Sequence, residues 1–201
     1  MQWLLGNLDA LDARAEPVAW MVQTRSDAAD ALAASVRATR ADLADAALAR
    51  EDAGGGRLFR RLMLRALAAR IFGGSPRSVE VKRSASGGIL LPGLPAYASV
   101  SGSGDYHLVA VGRRPIGADI ESGDGADALL EWTAKEAYLK ALGIGFGAPQ
   151  QEVMLDPCGE GFIARIGGLG CGHVRLFGGR GFTAALAERT SAGDSGSLRD
   201  C

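Results

Sequence analysis

Residues 116–149 read IGADIE, then SGDGADALLE, then WTAKEAYLKALGIGFGAP, and the two ends of this stretch decide the reading of the chain. The first end, Ile116 to Glu121, has period two. Side chains alternate across a strand, so Ile116, Ala118 and Ile120 share one face while Asp119 and Glu121 share the other with the bare Gly117. Adjacent acids repel unless a cation or solvent relieves them. Such a pair is either a solvated strand end or a place for Mg2+, which takes one or two carboxylates, several waters and substrate phosphates. The second end predicts a helix over Asp127 to Leu142, with apolar spacing at Leu130, Ala134, Ala137 and Ala141 and a stop at Gly143. Trp132, Glu136 and Lys140 form one stripe of that helix, and Glu131 and Lys135 a second pair. By spacing alone these are also ordinary surface pairs, each worth about 0.3 kcal/mol.

Taken together, G-A-D-I-E followed by W-T-x-K-E-A-x-x-K-x-x-G-x-G-x-x-x-P resembles the 4'-phosphopantetheinyl transferases, in their larger, two-halved form. The matching residues are Gly117, Asp119, Ile120, Glu121, Trp132, Thr133, Lys135, Glu136, Ala137, Lys140, Gly143, Gly145 and Pro149. The resemblance implies an α+β fold of two similar subdomains related by a pseudo-twofold axis, with coenzyme A between them. It implies transfer of the phosphopantetheine arm of coenzyme A to a serine of an acyl or peptidyl carrier protein. Asp119, Glu121 and Glu136 would hold Mg2+. Glu136 and Lys140 would be the catalytic pair. Arg65, Ser101, Gly102, Ser103, Lys135 and Lys140 would bind the coenzyme.

The remainder matches more loosely. Arg57 to Phe72 predicts a second helix, and Arg57, Arg61 and Arg65 form a line on it at four-residue steps. Stacked guanidiniums need solvent or anions, and a guanidinium fork suits phosphate. The resemblance places Arg65 at the 3'-phosphate of coenzyme A, and Glu51, Asp52 and Arg57 on the approach to this helix. Tyr97 to Asp105 is similar to the family's F-S-x-S-H-S-G strand end, with Ser99, Ser101, Ser103 and Gly104 in place and Gly102 where the family has a histidine. His107 is expected to be structural, since nothing in strand geometry makes it a substitute. The family's Lys-Pro element near Gly87 to Leu91 is absent. Only ten residues separate Glu121 from Trp132, where the family has a few dozen that contact the carrier. These departures leave open a second class of function: a catalytically impaired homologue that binds coenzyme A or a carrier protein.

Elsewhere, Val18 to Val22 predicts a strand, with Thr24 or Ser26 as a cap. Asp27 to Arg50 predicts helix, broken near Thr39 by a capping-box-like start with Asp42. Ala53 to Gly56 reads as a flexible link. Val79 to Lys82, Ile89 to Leu91, His107 to Val111 and four segments after Pro149 read as strands, with a hairpin at Gly112 to Pro115. The expected division is an extension over 1–17, subdomains over 18–114 and 115–190, and a disordered tail over 191–201. A chain of 201 residues supplies ample core, and its 29 glycines are about twice the usual share of roughly 7%. A net charge of -1 gives no case for nucleic-acid or membrane affinity. The amino end has neither the basic start nor the apolar run of a signal or membrane span. Three scattered cysteines suggest no disulfide framework. A cytoplasmic monomer is the expectation.

Overall fold

The computed structural model describes residues 1–12, 15–49, 54–123, 125–144 and 149–190. Glu51, Asp52, Ala53, Gly145 and the 191–201 segment, on which parts of the sequence reading fall, lie outside them. Among the described residues the chain is mixed α and β, with two sheets and four α-helices. The first sheet takes β1 (Gln2–Leu5), β2 (Val18–Gln23), β3 (Lys82–Arg83), β4 (Ile89–Leu90), β5 (Tyr97–Ser103) and β6 (Tyr106–Gly112), in the order β1-β2-β6-β5-β4-β3. The second takes β7 (Ile116–Ser122), β8 (Met154–Cys158), β9 (Gly161–Arg165), β10 (Cys171–Gly179) and β11 (Phe182–Arg189), in the order β7-β11-β10-β9-β8. The helices are α1 (Asp27–Ser35), α2 (Arg40–Ala47), α3 (Gly54–Phe72) and α4 (Asp127–Ala141).

Strand alternation sorts the core into three layers. On β2, Val18, Trp20 and Val22 pack with Val109 and Val111 of β6 beneath Met63, Leu64 and Leu67 of α3. The intervening residues Ala19, Met21, Leu108 and Ala110 face the other way. They meet Ile116, Ala118, Ile120, Ala184 and Leu186, so the two sheets pack face to face through small side chains. On the far side, Ala185 and Ala187 of β11 lie against Ala134, Ala137, Tyr138 and Leu139 of α4. Gly117 is required there: a Cβ would collide with the carbonyl of Ala137 and the amide of Ala141. Its absence lets the α4 backbone lie directly on β7.

Several boundaries differ from the sequence reading. Residues 2–5 are not an appendage; they pair in parallel with β2, and Leu4 is in the core. The predicted hairpin at Gly112 to Pro115 is instead a crossover, since β6 pairs with β2 and β5 while β7 pairs with β11 in the other sheet. Gly54 to Gly56 belong to α3 rather than to a link. The break near Thr39 is as expected: Thr39 and Asp42 form a reciprocal capping box at the start of α2. Cys171 is a free thiol. Among the described residues no helix is long and apolar enough to cross a membrane.

Candidate functional site

The site forms where β4 stops. That strand pairs with β5 only at Ala98, and beyond it a cavity of about 420 Å³ opens along β5. Ser99 to Gly102 form its floor, the turn carrying Ser86 to Gly88 forms one wall, and Arg60, Arg83 and Lys140 bring three cations to it.

Three serines on one face of β5 join that strand to β7. Ser99 Oγ accepts from the amide of Ala118 at 2.9 Å. Ser101 Oγ donates to Asp119 Oδ1 at 2.8 Å, and Ser103 Oγ donates to Glu121 Oε2 at 2.9 Å. Ser103 also accepts from the amide of Ser122 at 3.1 Å. Ser101 thus both lines the cavity and holds an acid, while Ser103 holds an acid outside the cavity lining.

Asp119 and Glu121 do share a face, as the period-two pattern predicts. Asp119 is 3% exposed. Its Oδ1 takes Lys140 Nζ at 2.6 Å as well as Ser101, and its Oδ2 is buried with no hydrogen-bond partner. Lys140 also reaches Ser101 Oγ at 3.2 Å and the carbonyl of Ala118 at 3.3 Å. Glu136, likewise 3% exposed, accepts from Gln150 Nε2. Burial pushes its carboxyl above the usual range, Asp119 and Glu121 add to the effect, and the Gln150 hydrogen bond and Lys140 charge oppose it.

The three acids therefore sense one another, but their side chains do not gather into one ligand set. Among the described residues no group of three or more His, Cys, Asp or Glu is arranged to hold a metal. Lys140 occupies one oxygen of Asp119 and Gln150 one of Glu136. What does fit a divalent cation is narrower. Asp119 Oδ2 is an unpartnered buried acceptor, and Glu121 lies two residues along on the same face, which matches the one or two carboxylates that Mg2+ takes.

The predicted coenzyme contacts divide. Ser101, Gly102 and Lys140 line the cavity. Lys135 is not among the lining residues; it pairs with Glu131 at 2.5 Å. Arg65 is a correction. It is 1% exposed, ion-paired with Asp42 and donating to the carbonyl of Pro76 at 2.7 Å, so it has no face toward a ligand. The whole arginine line is committed in this way. Arg57 pairs with Asp45 at 2.8 Å, and Arg61 pairs with Asp42 at 3.0 Å and Asp45 at 3.4 Å. The anions this stripe needed are the two acids of α2.

Sequence reasoning missed Arg60 and Arg83. The available signal was Gly56, four residues before Arg60 and so on the same helix face, with Gly102 on the strand opposite. No family model matches this chain, and no curated protein was found with significant similarity to it.

Proposed function

We propose that the chain is a Mg2+-dependent 4'-phosphopantetheinyl transferase acting on an acyl or peptidyl carrier protein, with coenzyme A as donor. The observation that carries this reading is a cavity along β5 with three cations in its lining and a buried acid directly behind Lys140 and Ser101. A pyrophosphate ester needs such cations, because fixed charge is the main contribution a protein makes to phosphoryl-type transfer. In this reading the carrier serine oxygen attacks the phosphorus bearing the pantetheine arm. The bond from that phosphorus to the bridging oxygen breaks, and 3',5'-ADP leaves with the electron pair.

Glu136, whose carboxyl pKa burial raises above its ordinary value, takes the serine proton. Lys140, paired with Asp119 at 2.6 Å, would meet charge developing on the leaving phosphate. Asp119 and Glu121 would hold Mg2+, which supplies neutralisation of the pyrophosphate. The fold is proposed to be the two-halved one of this family, with the join at 113–117 between the sheets.

A second reading is favoured by the same side chains. Lys140 and Gln150 already occupy Asp119 and Glu136, and a chain that kept them so would bind coenzyme A without transferring. Incubation with coenzyme A, Mg2+ and several apo carrier proteins, followed by carrier mass, separates the two. Modification abolished by Glu136→Ala supports the enzyme. Coenzyme A binding by calorimetry without modification supports the binding protein, and neither result leaves no function for this cavity.

A further inference from the structure

Arg60 stands apart from the other arginines of α3. Arg57, Arg61 and Arg65 each have Asp42 or Asp45, and so does Arg83, at 3.3 Å from Asp45. Among the described residues no carboxylate pairs with Arg60. Burial holds its guanidinium below the ordinary value, and the positive charges of Arg83 and Arg57 lower it further. A half-buried cation facing a cavity, repelled by its neighbours and lacking a counter-ion, is short of one anion.

The surroundings of Arg60 are built. Its Nη1 passes between two glycines. A Cβ at Gly102 would collide with that nitrogen, and one at Gly56 would lie 3.3 Å from it. Arg60 Nη1 also lies 3.2 Å from His107 Nδ1, and His107 is the cross-strand partner of Gly102. Guanidinium only donates, so Nδ1 must be the bare, accepting nitrogen of a neutral ring. The proton is then on Nε2, which donates to Thr24 Oγ1 at 2.9 Å, and Thr24 Oγ1 donates to the carbonyl of Asp105 at 3.0 Å. The Phe59 ring packs against the imidazole with centroids 4.9 Å apart. One tautomer is thus fixed, and with it the direction of Arg60.

We infer that Arg60 is the receptor for a phosphate group in this cavity, that His107 is its positioning residue, and that Gly56 and Gly102 exist to admit it. This rests on the cavity being the ligand site proposed above, but not on any transfer chemistry. It also gives Gly102 a role of its own: the position is empty because the guanidinium of Arg60 fills it. The Arg60 end carries no unpaired carboxylate, so a phosphate there is bound by guanidinium directly, whereas one beside Asp119 would share a cation.

The test is calorimetric titration of inorganic phosphate, and separately of coenzyme A, into the full chain with EDTA present. Arg60→Gln is expected to weaken both by about tenfold or more, the size of a charge-assisted fork to phosphate. His107→Leu should weaken both and His107→Gln, which keeps an acceptor, should restore them. Gly102→Ala should weaken both with little change in thermal midpoint, because the displaced group is the far end of a flexible side chain. Wild-type affinity in folded Arg60→Gln or Gly102→Ala overturns the inference, as does a wild-type protein that binds neither ligand. Phosphate binding that depends on Arg60 without carrier modification sinks the transferase reading and leaves this one standing. Carrier modification with Arg60→Gln retaining coenzyme A affinity does the reverse.

Discussion

Replacing Asp42 by Asn should be among the most damaging single changes in the chain. Asp42 is 2% exposed and accepts four hydrogen bonds: from the amide and hydroxyl of Thr39, from Arg61 and from Arg65. Burial works against its charge, and the Thr39 and arginine contacts together hold the carboxyl below its usual value. Asn keeps the shape but presents an N–H to guanidinium or amide groups that only donate, and leaves the buried Arg65 without a countercharge. Breaking a buried pair from one side costs about 3–5 kcal/mol, a large part of the ~5–15 kcal/mol that holds a domain folded. For a chain of this length that is a fall in thermal midpoint of roughly 6–20 °C. Urea unfolding followed by circular dichroism measures it. A loss below about 1 kcal/mol would refute the ion-pair account of α2 and α3. Adding Arg65→Met to Asp42→Leu should recover only the Arg65 share of the loss, since Arg61 and the Thr39 amide still lose their acceptor. Folded Arg65→Met should bind coenzyme A like the parent, which a phosphate-binding Arg65 would not allow.

Burial pushes His107 down to about 4 from 6.5, and the Arg60 charge adds to this while Asp105 opposes it. The unfolded chain takes up this proton first, so the stability is present above pH 6.5 and is lost as pH falls toward 4, by about 3 kcal/mol; urea midpoints across that range should show the slope, and His107→Gln should flatten it. Asp45, held near 2 chiefly by its hydrogen bond from Arg57, adds a second loss in the same direction as pH falls below 3.8. Gly117→Ala should cost at least the ~1–3 kcal/mol of overpacking and lower carrier modification, because α4 and its Glu136 and Lys140 must lift off β7; unchanged stability and rate would show that the approach is not tight. Mg2+ should raise the thermal midpoint of the parent and not that of Asp119→Asn, and an equal rise in both would place the cation elsewhere.

The elements were legible where patterning was strong. The alternation of β7, the amphipathic spacing of α4 and the Thr39-Asp42 box each read correctly because local chemistry alone fixes them. Sheet membership was not legible: β6 and β7 look like a hairpin, and only the packing of Ala110 and Ala118 across the sheets shows that they part. Arg65 misled because an arginine stripe does not state whether its anions are ligands or side chains. Asp42 and Asp45 lie one turn apart on α2, so the two acids that answer it were in view but not their docking against α3. Arg60 was hidden for the opposite reason, since its place is defined by what Gly56 and Gly102 lack.

The three serines of β5 have a consequence for fidelity of assembly. Their two-residue rhythm matches that of the acids on the facing strand, so only one alignment satisfies every hydroxyl. Sliding β7 by a single position would turn Asp119 and Glu121 into the greasy layer between sheets and present Ala118 and Ile120 to hydroxyls they cannot answer. The same contacts that steady the acids therefore also proofread how β7 comes to lie beside β5.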